Sequence, residues 1–190
     1  ANLSDNEQII RLFQDVLRAF GKIDVLVNNA GIYLYAPISD EGWLEKWHIT
    51  MQTNLTSAAL LSKLAISHFI ENGGGRIINI ASRAAFRGDT ADYMAYAASK
   101  GGMISLTKTI ARAYGKSNIK AFSIAPGFVR TPMATEFIEK NGEESVIKDL
   151  SLNSLTEPMD IAPLVTFISA GFLDHATGST FDINAGSYMR

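Results

Sequence analysis

Two hydrophobic periods alternate along the chain. In "LSDNEQIIRLFQDVLRAFGK" the apolar residues Ile9, Ile10, Phe13, Val16, Leu17 and Phe20 recur at helical spacing, which places them on one side of an α-helix. Ser4 followed three residues later by Glu7 predicts a capping box at its start, and Gly21 predicts its stop. "IDVLVNNAG" is a short unbroken apolar run, the pattern of a strand buried on both faces of a parallel sheet. A long helix is expected over residues 41 to 70, ended by "NGGG", and "RIINIAS" is the next buried strand. The helix that opens at "YAASKGG" runs to about Tyr114, and "IKAFSIAPG" is a third strand closed by Pro126 and Gly127. Residues 131 to 156 are less regular, with a helix expected in their middle. A helix over 160 to 170 and the strand "STFDIN" complete the pattern. Strand and helix alternate throughout, which predicts an α/β fold with a parallel sheet, and no repeat or linker divides it.

In open sheets of this kind ligands sit beyond the carboxyl ends of the strands. "NNAG", "AS" and "APG" each stand at such an end, so one edge of the sheet is the expected site. Composition narrows the chemistry. The formal net charge of −2 supplies no basic field for nucleic acid. The longest apolar runs stop well short of about 18 residues, so no membrane span is expected, and no basic-then-apolar leader opens the chain. The chain has no cysteine, which removes disulfides, thiol catalysis and thiolate metal sites and fits a cytoplasmic protein. His48, His68 and His175 lack ligand spacing and read as surface or boundary residues rather than metal ligands.

The stretch "YMAYAASKGG" holds Tyr93, Tyr96 and Lys100. A separation of four puts Tyr96 and Lys100 on one helical face, whereas Tyr93 lies two turns from the lysine. An ammonium about 4 Å from a phenol favours the phenolate by roughly 4 kcal/mol at an effective dielectric of 20. That would lower the tyrosine's pKa of about 10 by up to about 3, with desolvation opposing, and bring it into range for acid–base work. A Tyr-x-x-x-Lys pair arises often by chance. Its companions also have plain readings: Ser82 as a strand-end cap, Asn54 as a solvent-facing helix residue, Lys100 as a surface lysine, Tyr96 as a packing aromatic.

The pair stands in a series. "NNAG" (28 to 31), Asn54 in "QTNLTS", Ser82 in "INIAS", "YAASK" (96 to 100) and "APGFVRTPM" (125 to 133) follow in order. In that set and spacing the chain resembles the short-chain dehydrogenase/reductase family, and within it the 3-oxoacyl-carrier-protein reductase-like members, over essentially its whole length. The resemblance implies a Rossmann-type doubly wound parallel sheet and hydride transfer between NAD or NADP and a carbonyl or secondary alcohol. It implies that Tyr96 is the acid–base, that Lys100 lowers its pKa and holds the nicotinamide ribose, that Ser82 positions the substrate oxygen, and that Asn54 holds a water beside the lysine. Asn28, Ala30 and Gly31 match the segment beside the adenosine end, and Asn2 stands where the family contacts adenine. Pro126, Gly127, Val129 and Thr131 match the loop around the nicotinamide carboxamide.

Such enzymes carry a glycine-rich turn after their first strand, with the pyrophosphate on the following helix N-terminus. "NGGGR" precedes a strand, "SKGG" lies within a helix and "NAG" has one glycine. The resemblance therefore implies a domain present here without its first three strands. The alternatives to a 3-oxoacyl thioester reductase are a sugar, polyol or steroid-type alcohol dehydrogenase, and a non-catalytic fragment serving assembly. Arg83, Arg87 and Arg130 flank the site and read either as binders of an anionic substrate or as solvated charges. Phe86, Phe128, Met133 and Phe137 read as a pocket wall or as core. The helices around 50 to 69 and 96 to 114 carry apolar or small residues on more than one face, and family members form homodimers or homotetramers through them.

Overall fold

Asp5, not Ser4, begins the first helix. In the computed structural model, which describes residues 1–190 apart from the side chains of Glu136, Lys140 and Asn141, Asp5 is extended (φ −116°, ψ 114°). Its carboxylate accepts the Glu7 and Gln8 amides at 2.9 and 3.2 Å, while the Ser4 hydroxyl donates to Asn2 Oδ1. A carboxylate caps as a hydroxyl does and adds a charge that the helix dipole favours. Helix α1 (Asn6–Phe20) ends as predicted at Gly21, whose amide donates to Leu17 O. Its buried stripe is narrower than the sequence suggested: Ile9 and Phe13 are buried, but Phe20 is 78% exposed.

Four strands, β1 (Val25–Asn28), β2 (Gly75–Ile80), β3 (Ile119–Pro126) and β4 (Thr180–Ile183), form one parallel sheet in the order β1-β2-β3-β4. Consecutive residues face opposite sides, which is why the strands read as unbroken apolar runs. Ile77, Ile119 and Ala121 pack with Ile9, Phe13 and Phe69 on one side. Ile78, Phe122 and Ile124 pack with Ile168 on the other. Helices therefore cover both faces, the doubly wound arrangement expected.

The crossover from β1 to β2 is α2 (Trp43–Met51), a π-helical turn (Gln52–Thr56) and α3 (Ser57–Glu71), so the long helix predicted over 41 to 70 is interrupted. The β2–β3 crossover holds the short α4 (Ala84–Arg87) and the long α5 (Met94–Tyr114). Between β3 and β4 lie α6 (Pro132–Asn141), α7 (Glu143–Ile147) and α8 (Pro158–Ser169); two helices thus stand where one was expected. At Gly75 a Cβ would lie 2.5 Å from the Phe69 ring, so α3 can close on β2 only over glycine.

A polar row crosses the sheet under α3 and α5. Asn28, Asn79, Ser123 and Thr180 share one register. Asn28 Nδ2 donates to Asn79 Oδ1 at 2.8 Å, Asn79 Nδ2 to Thr107 Oγ1 at 2.8 Å, and Ser123 Oγ to Thr107 Oγ1 at 2.8 Å. Thr107 lies seven residues after Lys100, two turns along the same helix. Pairing of buried polar groups is strongly favoured, so these bonds fix α5 against β2 and β3, while Asn28 Oδ1 and Thr180 Oγ1 in the same row have no hydrogen-bond partner among the described residues. No helix among the described residues is long and apolar enough to cross a membrane.

Candidate active site

The π-helical turn places Asn54. One extra residue in a helical turn opens the backbone ladder locally, and Asn54 is fully buried there. Its Oδ1 accepts the Ile32 amide at 2.8 Å, and its Nδ2 donates to Ile32 O at 2.9 Å and Ser99 Oγ at 3.2 Å. Ser99 Oγ donates in turn to Tyr96 O at 2.7 Å. The loop after β1 and the first turns of α5 are thereby tied through one amide, and the solvent-facing reading of Asn54 is excluded.

Lys100 is also no surface residue. It is 3% exposed, and its Nζ donates to Ile80 O at 2.7 Å, at the carboxyl end of β2. Burial holds its pKa down to about 8. Gly31 leaves the space in front of it open: a Cβ there would lie 3.3 Å from Lys100 Nζ and 3.4 Å from Asn54 Oδ1.

Tyr96 sits one turn earlier, with Lys100 Nζ 5.7 Å from its ring centre. Burial raises the phenol above its ordinary range, the neighbouring Ser82 hydroxyl pulls it part of the way back, and Asp89 adds a smaller upward push. The expectation that the ammonium dominates and depresses the phenol is therefore corrected. The Nζ is directed to the Ile80 carbonyl, and desolvation outweighs its attraction. Ser82 Oγ accepts the Ala84 amide at 3.1 Å, which holds the hydroxyl at the start of α4 and gives some support to the strand-end reading as well.

A cleft of about 1040 Å³ opens over these residues. Ser82, Tyr96 and Lys100 line it together with Ala30, Gly31, Pro126, Gly127, Val129 and Thr131. The 126 to 131 loop is fixed at both ends. The Gly127 amide donates to Ile183 O at 2.9 Å, Val129 bridges to Thr156, and Thr131 begins α6. Asn54 lies behind the wall. Asn28 is buried in the polar row, and Asn2 is exposed beside α1; neither lines the cleft. Of the four aromatic and sulfur side chains proposed as pocket wall, Phe128, Met133 and Phe137 line it, whereas Phe86 stacks on Tyr188 at 6.3 Å.

Tyr33 and Asp89 are among the cleft residues that the sequence analysis did not single out. Tyr33 meets the Tyr96 ring edge-on at 4.7 Å and stacks on Tyr93 at 3.7 Å, and its hydroxyl donates to Asp89 Oδ1 at 3.2 Å. Tyr33 stands two residues past "NNAG", and that proximity was the available clue. Among the described residues no group of histidines, cysteines and carboxylates could hold a metal ion.

This arrangement puts two hydroxyls and a buried cation at one strand edge, the equipment to receive a developing oxyanion. The family model described as "Enoyl-(Acyl carrier protein) reductase" matches residues 1–187. The 3-oxoacyl-[acyl-carrier-protein] reductase FabG of Haemophilus influenzae is 35% identical over 191 residues, 99% of this chain and 76% of that protein. An acetoacetyl-CoA reductase of an Acinetobacter species is 34% identical over 188 residues, 99% of this chain and 75% of that protein. A crystal structure of a putative gluconate dehydrogenase from Agrobacterium tumefaciens superposes with a TM-score of 0.90 at 29% identity, covering 98% of this chain and 74% of that one. The chain belongs to the short-chain dehydrogenase/reductase family of NAD(P)-dependent oxidoreductases.

Proposed function

We propose that the protein reduces the 3-oxo group of acyl thioesters to a hydroxyl. The observation that carries this reading is the meeting of Ser82, Tyr96 and Lys100 in the cleft, with the apolar side chains of Phe128, Met133 and Phe137 in the same lining for an acyl chain. Two relatives named as oxoacyl and acetoacetyl thioester reductases support the substrate class. A nicotinamide cofactor would lie in the cleft over Gly31, whose missing Cβ keeps the approach to Lys100 clear, with Lys100, Ala30 and the 126 to 131 loop to hold it. When bound, it supplies the hydride for reduction and accepts it for oxidation.

In this reading Tyr96 gives its phenolic proton to the substrate oxygen, and Ser82 donates a second hydrogen bond to the same oxygen. The oxyanion that forms as the carbonyl is reduced is met by two donors already in place. Lys100 stabilises the phenolate left behind. Asn54, its amide engaged by Ile32 and Ser99, holds the wall behind the lysine. A second reading, oxidation of a polyhydroxy acid, is supported by the likeness to a putative gluconate dehydrogenase and by the polar Tyr33–Asp89 side of the cleft.

The test is NADPH and NADH consumption by the intact protein with acetoacetyl-CoA. Tyr96→Phe should lower turnover at least about a hundredfold, as loss of a general acid does. Tyr93→Phe keeps its ring on Tyr33 and should leave the chemistry in place; similar small effects of the two substitutions would sink the assignment. We also infer a homo-oligomer, because Leu44, Ile49 and Met94 are exposed on α2 and α5 and apolar faces of this kind call for a partner. A monomeric mass by light scattering at micromolar concentration would contradict it.

A further inference from the structure

Three arginines were candidates for binding an anion, and their partners divide them. Arg130 is fully engaged, with Nε on Glu157 at 2.7 Å and Nη1 on Glu143 at 2.9 Å. It braces the segment between β3 and α8 and does not line the cleft. Arg83 and Arg87 do line it, and they share one carboxylate oxygen: their Nη1 atoms lie 3.1 and 3.3 Å from Asp149 Oδ2.

Arg83 is the residue after Ser82, and only 12% of its side chain is exposed, against 54% for Asp149. A guanidinium offers five donors in a planar fork suited to two oxygens of one group. A single contact to a half-solvated aspartate leaves further donors of the fork available at the cleft wall. Burial and the adjacent Arg87 both weigh against the Arg83 charge, so a better anion would relieve it. The other carboxylate at this end, Asp89, is taken by the Tyr33 hydroxyl at 3.2 Å and the Thr90 amide at 2.8 Å. With Asp149 in place the two arginines and two aspartates cancel. Turning Asp149 into water leaves this end of the cleft with one uncompensated arginine charge, in addition to the Lys100 ammonium, close to Ser82 along the chain.

We propose that Arg83, assisted by Arg87, reads an anionic oxygen group on the substrate, a carboxylate or a phosphate, and that Asp149 holds that position until the substrate arrives. This rests on the reading of the cleft as a carbonyl-reducing site. The carboxylate of a short oxo acid and the phosphates of a coenzyme A thioester are the two sources, and three substrates with one reacting group separate them. Acetoacetate carries a carboxylate, acetoacetyl-CoA carries phosphates, and acetoacetyl-N-acetylcysteamine carries no charge.

The experiment measures kcat/KM of the intact protein for all three, and binding of acetoacetate and of coenzyme A by calorimetry, for wild type, Arg83→Gln and Asp149→Asn. One anionic substrate should exceed the uncharged one by about tenfold or more, the scale of a charge-assisted bond, and which one it is identifies the group. Arg83→Gln should remove that preference, lowering the anionic substrate about tenfold more than the uncharged one. Asp149→Asn should tighten anion binding, because the resident competitor is gone. The reverse result, weaker binding in Asp149→Asn, would mean that the pair is only a brace and would overturn the proposal. So would an equal fall of all three substrates in Arg83→Gln, or no preference in wild type. If nothing is turned over while Arg83→Gln still loses anion binding, the carbonyl reading fails and the anion site stands.

Discussion

Replacing Lys100 by methionine should make the protein more stable while abolishing its activity. The lysine is 3% exposed, and among the described residues its ammonium meets the Ile80 carbonyl and, at 5.7 Å, the Tyr96 ring, with no carboxylate paired to it. Burial has moved its pKa from about 10.4 in a free chain to about 8. A drop of that size corresponds to about 3 kcal/mol of unfavourable charge burial. Methionine matches the length and fills the space, and losing the bond to Ile80 returns about 1 kcal/mol of the gain. The net expectation is about 2 kcal/mol of added stability at pH 7. The sign with pH follows from proton binding. Below pH 8 both folded and unfolded chains hold the proton and the penalty is complete. Between pH 8 and about 10.4 the unfolded chain holds more protons, so the wild type gains stability as pH rises. The advantage of Lys100→Met should therefore shrink across that window. Urea unfolding of both proteins at one fixed concentration, at pH steps from 6 to 10, measures it, and other titrating groups cancel in the difference. A variant less stable than wild type at pH 7, or a gap that stays constant above pH 8, would refute the reasoning.

Gly31→Ala should lower kcat/KM at least about tenfold, since its Cβ would press on Lys100 Nζ and Asn54 Oδ1 at 3.3 and 3.4 Å and small displacements at a reacting site are expensive; full activity in steady-state assays would contradict it. Asn79→Ala should destabilise by about 3 kcal/mol, because Asn28 and Thr107 each lose a buried bond and a cavity remains. A change in the urea midpoint worth less than about 1 kcal/mol would show that the polar row is dispensable.

Much of this was legible in the chain, for reasons that can be named. The strands were readable because residues such as Ile77 and Ile78 are both fully buried, on opposite faces, and a strand covered on both sides reads as a mostly apolar run. Tyr96 and Lys100 were readable because helical spacing fixes neighbours without knowledge of the fold. The cap was misplaced by one residue because Ser4 and Asp5 both supply a capping oxygen and only backbone dihedrals choose between them. Phe20 continues the helical stripe of Ile9 and Phe13 yet is exposed, because periodicity continues to the end of a helix even where the layer beneath it has stopped. The π-helical turn had no residue signature: it is set by the bonds of Asn54 to Ile32 and Ser99, which join segments far apart in sequence. Tyr33 was missed for the same reason, its contacts with Tyr93 and Tyr96 spanning some sixty positions.

The largest discrepancy concerns sign, and it bears on mechanism. Proximity of opposite polarities suggested a lowered phenol; the structure has a raised phenol and a lowered ammonium. The removal of water is the leading cause of both shifts. In the same dry site a charge interacts far more strongly with whatever charge appears next to it. Among the described residues no carboxylate is paired with Lys100, whose ammonium meets the Ile80 carbonyl. Under the proposed reading, negative charge develops at Tyr96 when the phenol gives up its proton, and the uncompensated ammonium is then relieved as the phenolate is stabilised. The pair is thus poorly solvated at rest and well matched once charge has moved, which is the asymmetry that lowers a barrier rather than merely tightening binding.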